Sequence, residues 1–144
     1  MNGDAPIRFI VEGKPKTPLN KILRSGGRVF VTAKGTGGEW QTYVSVKASD
    51  ALNGKPPLKG PIMMEVTINR KVPKWSRRKT KAALAGMIFP VTRPDWDNCC
   101  KQLCDGMNGI VYDDDSQIVT SVVNKRYANH DYVEVEIREI GFYE

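Results

Sequence analysis

Between Pro61 and Asn69 the chain sets Ile62, Met64, Val66 and Ile68 at every second position. A period of two puts these side chains on one side of an extended backbone, so the segment reads as a half-buried β-strand rather than a helix. Tyr132–Ile140 repeats the pattern, with Val133, Val135 and Ile137 alternating against Glu134, Glu136 and Arg138. Shorter strands are expected at Ile7–Val11, Val29–Val31, Ile110–Tyr112 and Gln117–Val123. Helices are expected over Trp40–Leu52, ended by Asn53-Gly54, and from an N-cap at Ser76 through Ala85, closed by Gly86. A third runs from Asp97 to Met107 and is ended by Asn108-Gly109, with Cys100, Leu103, Cys104 and Met107 as its apolar stripe. Residues 14–27, with Lys14, Lys16, Lys21 and Arg24 among prolines and glycines, read as a basic loop. These elements sum to one α+β domain over residues 1–144, a mixed sheet flanked by two or three helices.

No apolar run approaches the roughly 18 residues that a membrane span needs, and Met1–Ile10 lacks the pattern of a secretory signal. The three cysteines, Cys99, Cys100 and Cys104, are an odd number in one short cluster and make a poor disulfide framework. They fit a reduced cytosolic protein in which they pack as small apolar side chains. Their spacing, with the single histidine His130 far downstream, does not suit zinc, and His130 reads as a surface residue.

Charge is unevenly distributed. Residues 95–144 hold 11 acids and 4 bases, a net of −7, so the first 94 residues carry +13 of the overall +6. The densest part is residues 70–81, where Arg70, Lys71, Lys74, Arg77, Arg78, Lys79 and Lys81 make seven cations in twelve residues. No acid occurs between Glu65 and Asp95. Cations in the first turn of the helix after Ser76 oppose its dipole, and phosphate binding is one reason to accept that cost. Trp75 within this run is expected either to stack on a base or to anchor the segment to the core. A basic front and an acidic back point to a polyanion-binding surface around a carboxylate cluster, or else to two solvated charge sets that neutralise each other.

The acids have a particular arrangement. Asp95 and Asp97 flank Trp96 just after Pro94, and Asp113-Asp114-Asp115 follows on a segment read as extended. Two carboxylates close together repel unless a cation lies between them, and hard oxygen ligands select Mg²⁺, Mn²⁺ or Ca²⁺. On a strand Asp113 and Asp115 would face one way and Asp114 the other, so one or two of the triplet would complete the site. Such a site activates water and stabilises the leaving oxygen of a phosphodiester. Lys101 lies one helical turn past Asp97, where it would neutralise charge on the phosphate. Otherwise it belongs to a surface ladder with Asp97 and Asp105, in which Asp105 positions it. The triplet could also be a plain polar turn. Neither acid segment meets the spacing of an EF-hand loop.

Arg93-Pro94-Asp95-Trp96-Asp97-Asn98, Lys101, Asp105 and Asp114-Asp115-Ser116-Gln117-Ile118 resemble the signature of the RusA-type Holliday junction resolvases, common in phages and prophages. The signature spans Arg93 to Ile118, and weaker similarity reaches the N-terminal strand and the Trp75 segment. The resemblance implies a homodimer with an α+β fold that uses Mg²⁺, or Mn²⁺ in its place, to nick a four-way junction on two opposing strands. By motif position it makes Asp95, Asp97 and Asp115 the metal-binding carboxylates and Lys101 the essential lysine. Asp113 is an additional acid, and Trp96, where the family usually has an aliphatic residue, is expected to pack as one. Arg70, Lys71, Lys74, Arg77, Arg78, Lys79, Lys81 and Arg93 are the expected DNA contacts. Six to ten phosphate contacts would lose roughly 10³–10⁵ in affinity between about 50 and 200 mM salt. A four-way junction is close to two-fold symmetric, which independently favours a two-fold dimer. The alternative is a non-catalytic branched-DNA binder with a structural divalent-metal site. A PD…(D/E)xK nuclease would need an acid where Cys99 stands, and a calcium-binding adaptor fails on spacing.

Overall fold

The computed structural model describes residues 5–15, 20–25, 28–33 and 36–141. Its centre is a four-stranded mixed sheet of β1 (Ile7–Glu12), β4 (Ile62–Lys71), β5 (Ile118–Ala128) and β6 (Tyr132–Glu139). The strand order is β1-β6-β4-β5, and β2 (Asn20–Ser25) and β3 (Arg28–Ala33) form a separate antiparallel pair. Strand β6 is antiparallel to both neighbours, with Val135 opposite Phe9 on one side and Val66 on the other. Strand β5 runs parallel to β4.

The alternating positions set the layers. Phe9 and Val11, Ile62 through Ile68 in steps of two, and Val133, Val135 and Ile137 all face one core. That core is closed by Trp40, Val44 and Ala48 of α1 (Thr36–Leu52) and by Cys99, Leu103 and Met107 of α3 (Trp96–Met107). The two helices cross at Gly106. A β-carbon there would stand 2.7 Å from Val44 Cγ1 and 3.0 Å from the Gln41 carbonyl oxygen, so only glycine lets them approach this closely. Ser45 Oγ donates to the Gly106 carbonyl at 2.7 Å and fixes the crossing.

Parallel strands cannot be joined by a tight turn. The link from β4 to β5 is a long crossover that holds α2 (Arg77–Leu84), α3 and a short 3₁₀ turn at Asp115–Gln117. Every expected metal ligand, and every expected DNA contact except Arg70 and Lys71 at the end of β4, lies in this crossover.

Several expectations need correcting. Residues 14–27 are not simply a loop, because Asn20–Ser25 is a strand paired to β3; Lys16 lies outside the described residues. The Gly26-Gly27 dipeptide between two β-competent runs is a hairpin signal that the density of cations obscures. Ile110–Tyr112 is a turn, not a strand: its bridge pairing is limited to isolated bridges at Tyr112, beside a hydrogen bond from Leu58 N to the Val111 carbonyl. Val111 and Tyr112 are fully buried there, and a short apolar run of this kind does not distinguish a strand from a packed turn. The buried stripe of α3 is Cys99, Gln102, Leu103, Gly106 and Met107; Cys100 and Cys104 lie half-buried on its flank.

Candidate metal and nucleic-acid site

Helix α3 begins where the chain leaves buried Pro94. Asp95 is its N-cap, in extended conformation, and its side chain makes no capping hydrogen bond. Asp97 lies in the first turn. Carboxylates at a helix N-terminus are favoured by the dipole, which accounts for acids at this end of the helix without any metal. What the dipole does not require is that the Asp95 carboxylate stay off the backbone N–H groups that it could cap.

The second acidic segment is organised by Gln117. Its side-chain oxygen accepts from the backbone N–H of Asp113 at 2.8 Å and of Asp114 at 3.0 Å. Its amide nitrogen donates to the carbonyls of Leu58 at 2.9 Å and Gly60 at 3.2 Å. The segment is therefore a turn stapled to the loop before β4, not a strand, and the alternation expected of Asp113, Asp114 and Asp115 does not apply. Each acid instead has its own role. Asp113 pairs with Lys59 at 2.9 Å. Asp114 caps the 3₁₀ turn by accepting from Ser116 N at 3.1 Å, and these hydrogen bonds hold its carboxyl below the usual carboxylate range. The Asp115 carboxylate alone of the three has no hydrogen-bond or ion-pair partner among the described residues.

Asp115 stands near α3. The Cys104 thiol is raised first by burial and then by the fields of Asp115 and Asp105, and the buried Tyr112 hydroxyl feels the same two carboxylates. Tyr112 partly offsets the rise at Cys104, although its hydroxyl closes no hydrogen bond of ordinary geometry. One turn back, burial pushes Cys100 up to about 11, with Cys104 and then Asp97 adding to the effect. Asp97 and Asp115 thus both act on the flank of α3 that carries Cys100 and Cys104. All three cysteines are unbridged.

Among the described residues the Asp95, Asp97 and Asp115 carboxylates are exposed and without partners, but they are not gathered into a cage. Among the described residues no three His, Cys, Asp or Glu side chains stand close enough to hold a metal. That donor set fits an open Mg²⁺ site, because Mg²⁺ keeps several waters and is commonly held by one or two carboxylates together with substrate phosphates. Lys101 is exposed on the same helix, and among the described residues it pairs with neither Asp97 nor Asp105, so the expected surface ladder does not close.

The basic segment is similarly uncommitted. Ser76 Oγ accepts from Lys79 N and starts α2 as expected. Trp75 anchors the segment, packing edge-on to Tyr127 at 5.1 Å under the Lys79 ammonium, 4.0 Å from its ring. Lys71, Lys74, Arg77, Arg78, Lys79, Lys81 and Arg93 are exposed, and none forms an ion pair among the described residues. Among the described residues the exposed cations of this segment are therefore not neutralised by contact, although elsewhere the two charge sets do meet, at Arg8–Glu136 and Lys59–Asp113. Arg70 differs from these cations in being committed within the fold. Its guanidinium donates to Thr92 Oγ1 and, at 2.6 Å, to the Arg93 carbonyl. Lys125 donates to the Thr92 carbonyl at 2.6 Å. These two cations hold the chain that delivers Asp95, and neither they nor the Gln117 staple is marked as a positioning residue by any sequence pattern beyond the signature itself. Two other expectations resolve simply. Trp96 does not pack as an aliphatic residue would; it is 60% exposed between the two aspartates. His130 is exposed, beside Glu12 and stacked on Tyr132.

The crossover thus presents carboxylates and cations that are unpaired among the described residues, an arrangement suited to a phosphodiester and a divalent ion. The model of the family described as endodeoxyribonuclease RusA matches residues 12–138. The chain is also similar to a Bacillus subtilis (strain 168) protein described as uncharacterized protein YqaN, 34% identical over 141 residues that cover 94% of this chain and 97% of that one. The chain belongs to the RusA endodeoxyribonuclease family.

Proposed function

We propose that this protein is a Mg²⁺-dependent endodeoxyribonuclease that resolves Holliday junctions and related branched DNA by paired symmetric nicks in recombination and repair. The observation that carries this reading is the crossover itself, where one segment combines a run of exposed cations with three exposed carboxylates around one helix, all of them unpaired among the described residues. Asp95, Asp97 and Asp115 would hold Mg²⁺, with Mn²⁺ as a substitute. When bound, such an ion activates a water and stabilises the leaving oxygen of the phosphodiester. Lys101 lies one turn from Asp97 to offset charge developing on the phosphate. Lys71, Lys74, Arg77, Arg78, Lys79, Lys81 and Arg93 bind the DNA backbone, and Arg70 supports the strand–helix entry through Thr92 and Arg93. Two cuts on opposing strands require two such sites, which a homodimer with a two-fold axis supplies. Among the described residues no helix is long and apolar enough to cross a membrane. We place the protein in the bacterial cytoplasm, encoded by the cell or by a phage or prophage.

One observation favours a second reading. The absence of a preassembled three-acid cluster among the described residues suits a branched-DNA binder with at most a structural metal. Strand-specific cleavage of a synthetic four-way junction, beside linear duplex, in Mg²⁺ and in EDTA separates the two. Symmetric nicks in the junction only with Mg²⁺ are expected. Tight binding with no cutting in Mg²⁺ or Mn²⁺ would replace the nuclease with the binder.

A further inference from the structure

The segment between α2 and α3 has its apolar side chains on the wrong side for a structural loop. Met87 is 76% exposed, Phe89 64% and Val91 91%, while Ile88 is half-buried and Pro90 is buried. The alternation displays three apolar groups outward in a row, which a folded chain avoids unless something else covers them.

The row is firmly held. At its start, Ala85 N, Gly86 N and Met87 N donate to the carbonyls of Lys81, Ala83 and Ala82 and close the end of α2. At its end, Arg70 and Lys125 fix Thr92 and Arg93, and Pro94 is buried. A tethered loop of this kind presents its side chains in one arrangement.

Its surroundings identify what covers it. Upstream lie the exposed cations of α2, downstream the exposed Arg93 and then Asp95 and Asp97. A second copy docked here about a two-fold axis would bring two basic helices together. DNA meets the opposite condition, since its phosphates attract the cations while its bases offer apolar faces. We propose that Met87, Phe89 and Val91 form a wedge that inserts at the strand-crossing point of branched DNA, a proposal that rests on the function given above. Inserting apolar side chains between stacked bases costs unstacking energy. That cost is least where the stack is already interrupted, as at a branch point, so the wedge converts a loss common to all duplex into preference for the junction.

The test uses the full chain with Met87→Ser, Phe89→Ser and Val91→Ser combined, in EDTA so that no strand is cut. A four-way junction carrying 2-aminopurine beside the crossover is titrated against a matched duplex. With wild type, fluorescence rises on binding and the junction is preferred. In the variant the rise is lost and the preference falls by about tenfold or more, while duplex affinity stays within about twofold. Phe89→Leu, which keeps an apolar group, retains most of both signals. An undiminished preference in the triple variant would overturn the wedge. So would a shift in its monomer–dimer equilibrium by sedimentation, which would make the row a contact between copies. A wild-type protein with no junction preference would instead refute the function on which the proposal rests.

Discussion

Helices α2 and α3 share one crossover and are attached to the fold in opposite ways. Four of the eight residues of α2 are cations and only Ala83 is buried, with Trp75 against Tyr127 as its main anchor. Helix α3 buries Cys99, Gln102, Leu103, Gly106 and Met107, and lies close enough to α1 to require glycine at the crossing. Under the proposed function the contrast follows from what each would have to do. Neutralising a phosphate backbone demands charge but tolerates imprecision, because screening and counterion release act over several ångströms. Holding a metal beside a scissile bond demands side chains fixed to about half an ångström, which a helix set in the core provides. Two of the three proposed metal-binding acids, Asp95 and Asp97, are accordingly at the start of the rigid helix, and four of the proposed DNA-binding cations are on the peripheral one.

The largest break in this division should come at Asp97. Asp97→Asn removes a proposed metal ligand but no buried contact, so cleavage of the junction in Mg²⁺ should fall by about 10³-fold, on the order of 4 kcal/mol at the transition state. Junction binding should persist or tighten, since a negative charge facing phosphate is gone. Cutting at the wild-type rate would remove Asp97 from the site. The complementary test is Arg77→Glu with Arg78→Glu. Losing two phosphate contacts should flatten the slope of log K against log salt by about 2 and weaken junction and duplex alike. The melting midpoint should hardly change, because both side chains are exposed. An unaltered slope would move the DNA face away from α2.

Gly106→Ala tests the other half of the comparison. The new methyl group would overlap Val44 and the Gln41 carbonyl, so the global stability should drop by about 1–3 kcal/mol, read from urea unfolding. A variant as stable as wild type would mean that α1 and α3 can separate at little cost, and that α3 is not a rigid platform.

The same contrast governs what the sequence made legible. The period of two in β4 and β6 is written in the chain because one face of each strand is buried along its whole length. Ser76, Asn108 and Gly86 mark helix ends through local capping chemistry, and the acidic signature marks α3. Long-range commitments leave no such trace. Asp113 and Asp115 are identical in sequence terms, yet one is claimed by Lys59, 54 positions away, and the other is left unpartnered among the described residues. Arg70 reads as one more cation in a basic run, and only the fold turns it toward Thr92 and Arg93. Trp96 reads as a packing residue because the resembled family usually has an aliphatic residue there, yet the fold leaves it largely exposed. Periodicity reports burial, and it is silent on which polar group finds which partner.

The smallest effect is expected at Ser76, and it is the most specific to the peripheral character of α2. Removing the cap with Ser76→Ala frees the Lys79 N–H and should cost about 1 kcal/mol. If α2 is a locally stable unit attached to the sheet chiefly through Trp75, that cost appears as local opening rather than global unfolding. Hydrogen exchange of the α2 amides should accelerate by about fivefold, while the α3 amides and the unfolding midpoint stay where they were. A fall in the global midpoint, with α2 and α3 exchanging faster together, would show that the two helices form one cooperative unit. The separation between a precise acidic platform and a tolerant basic flank would then be a difference of charge alone, not of attachment.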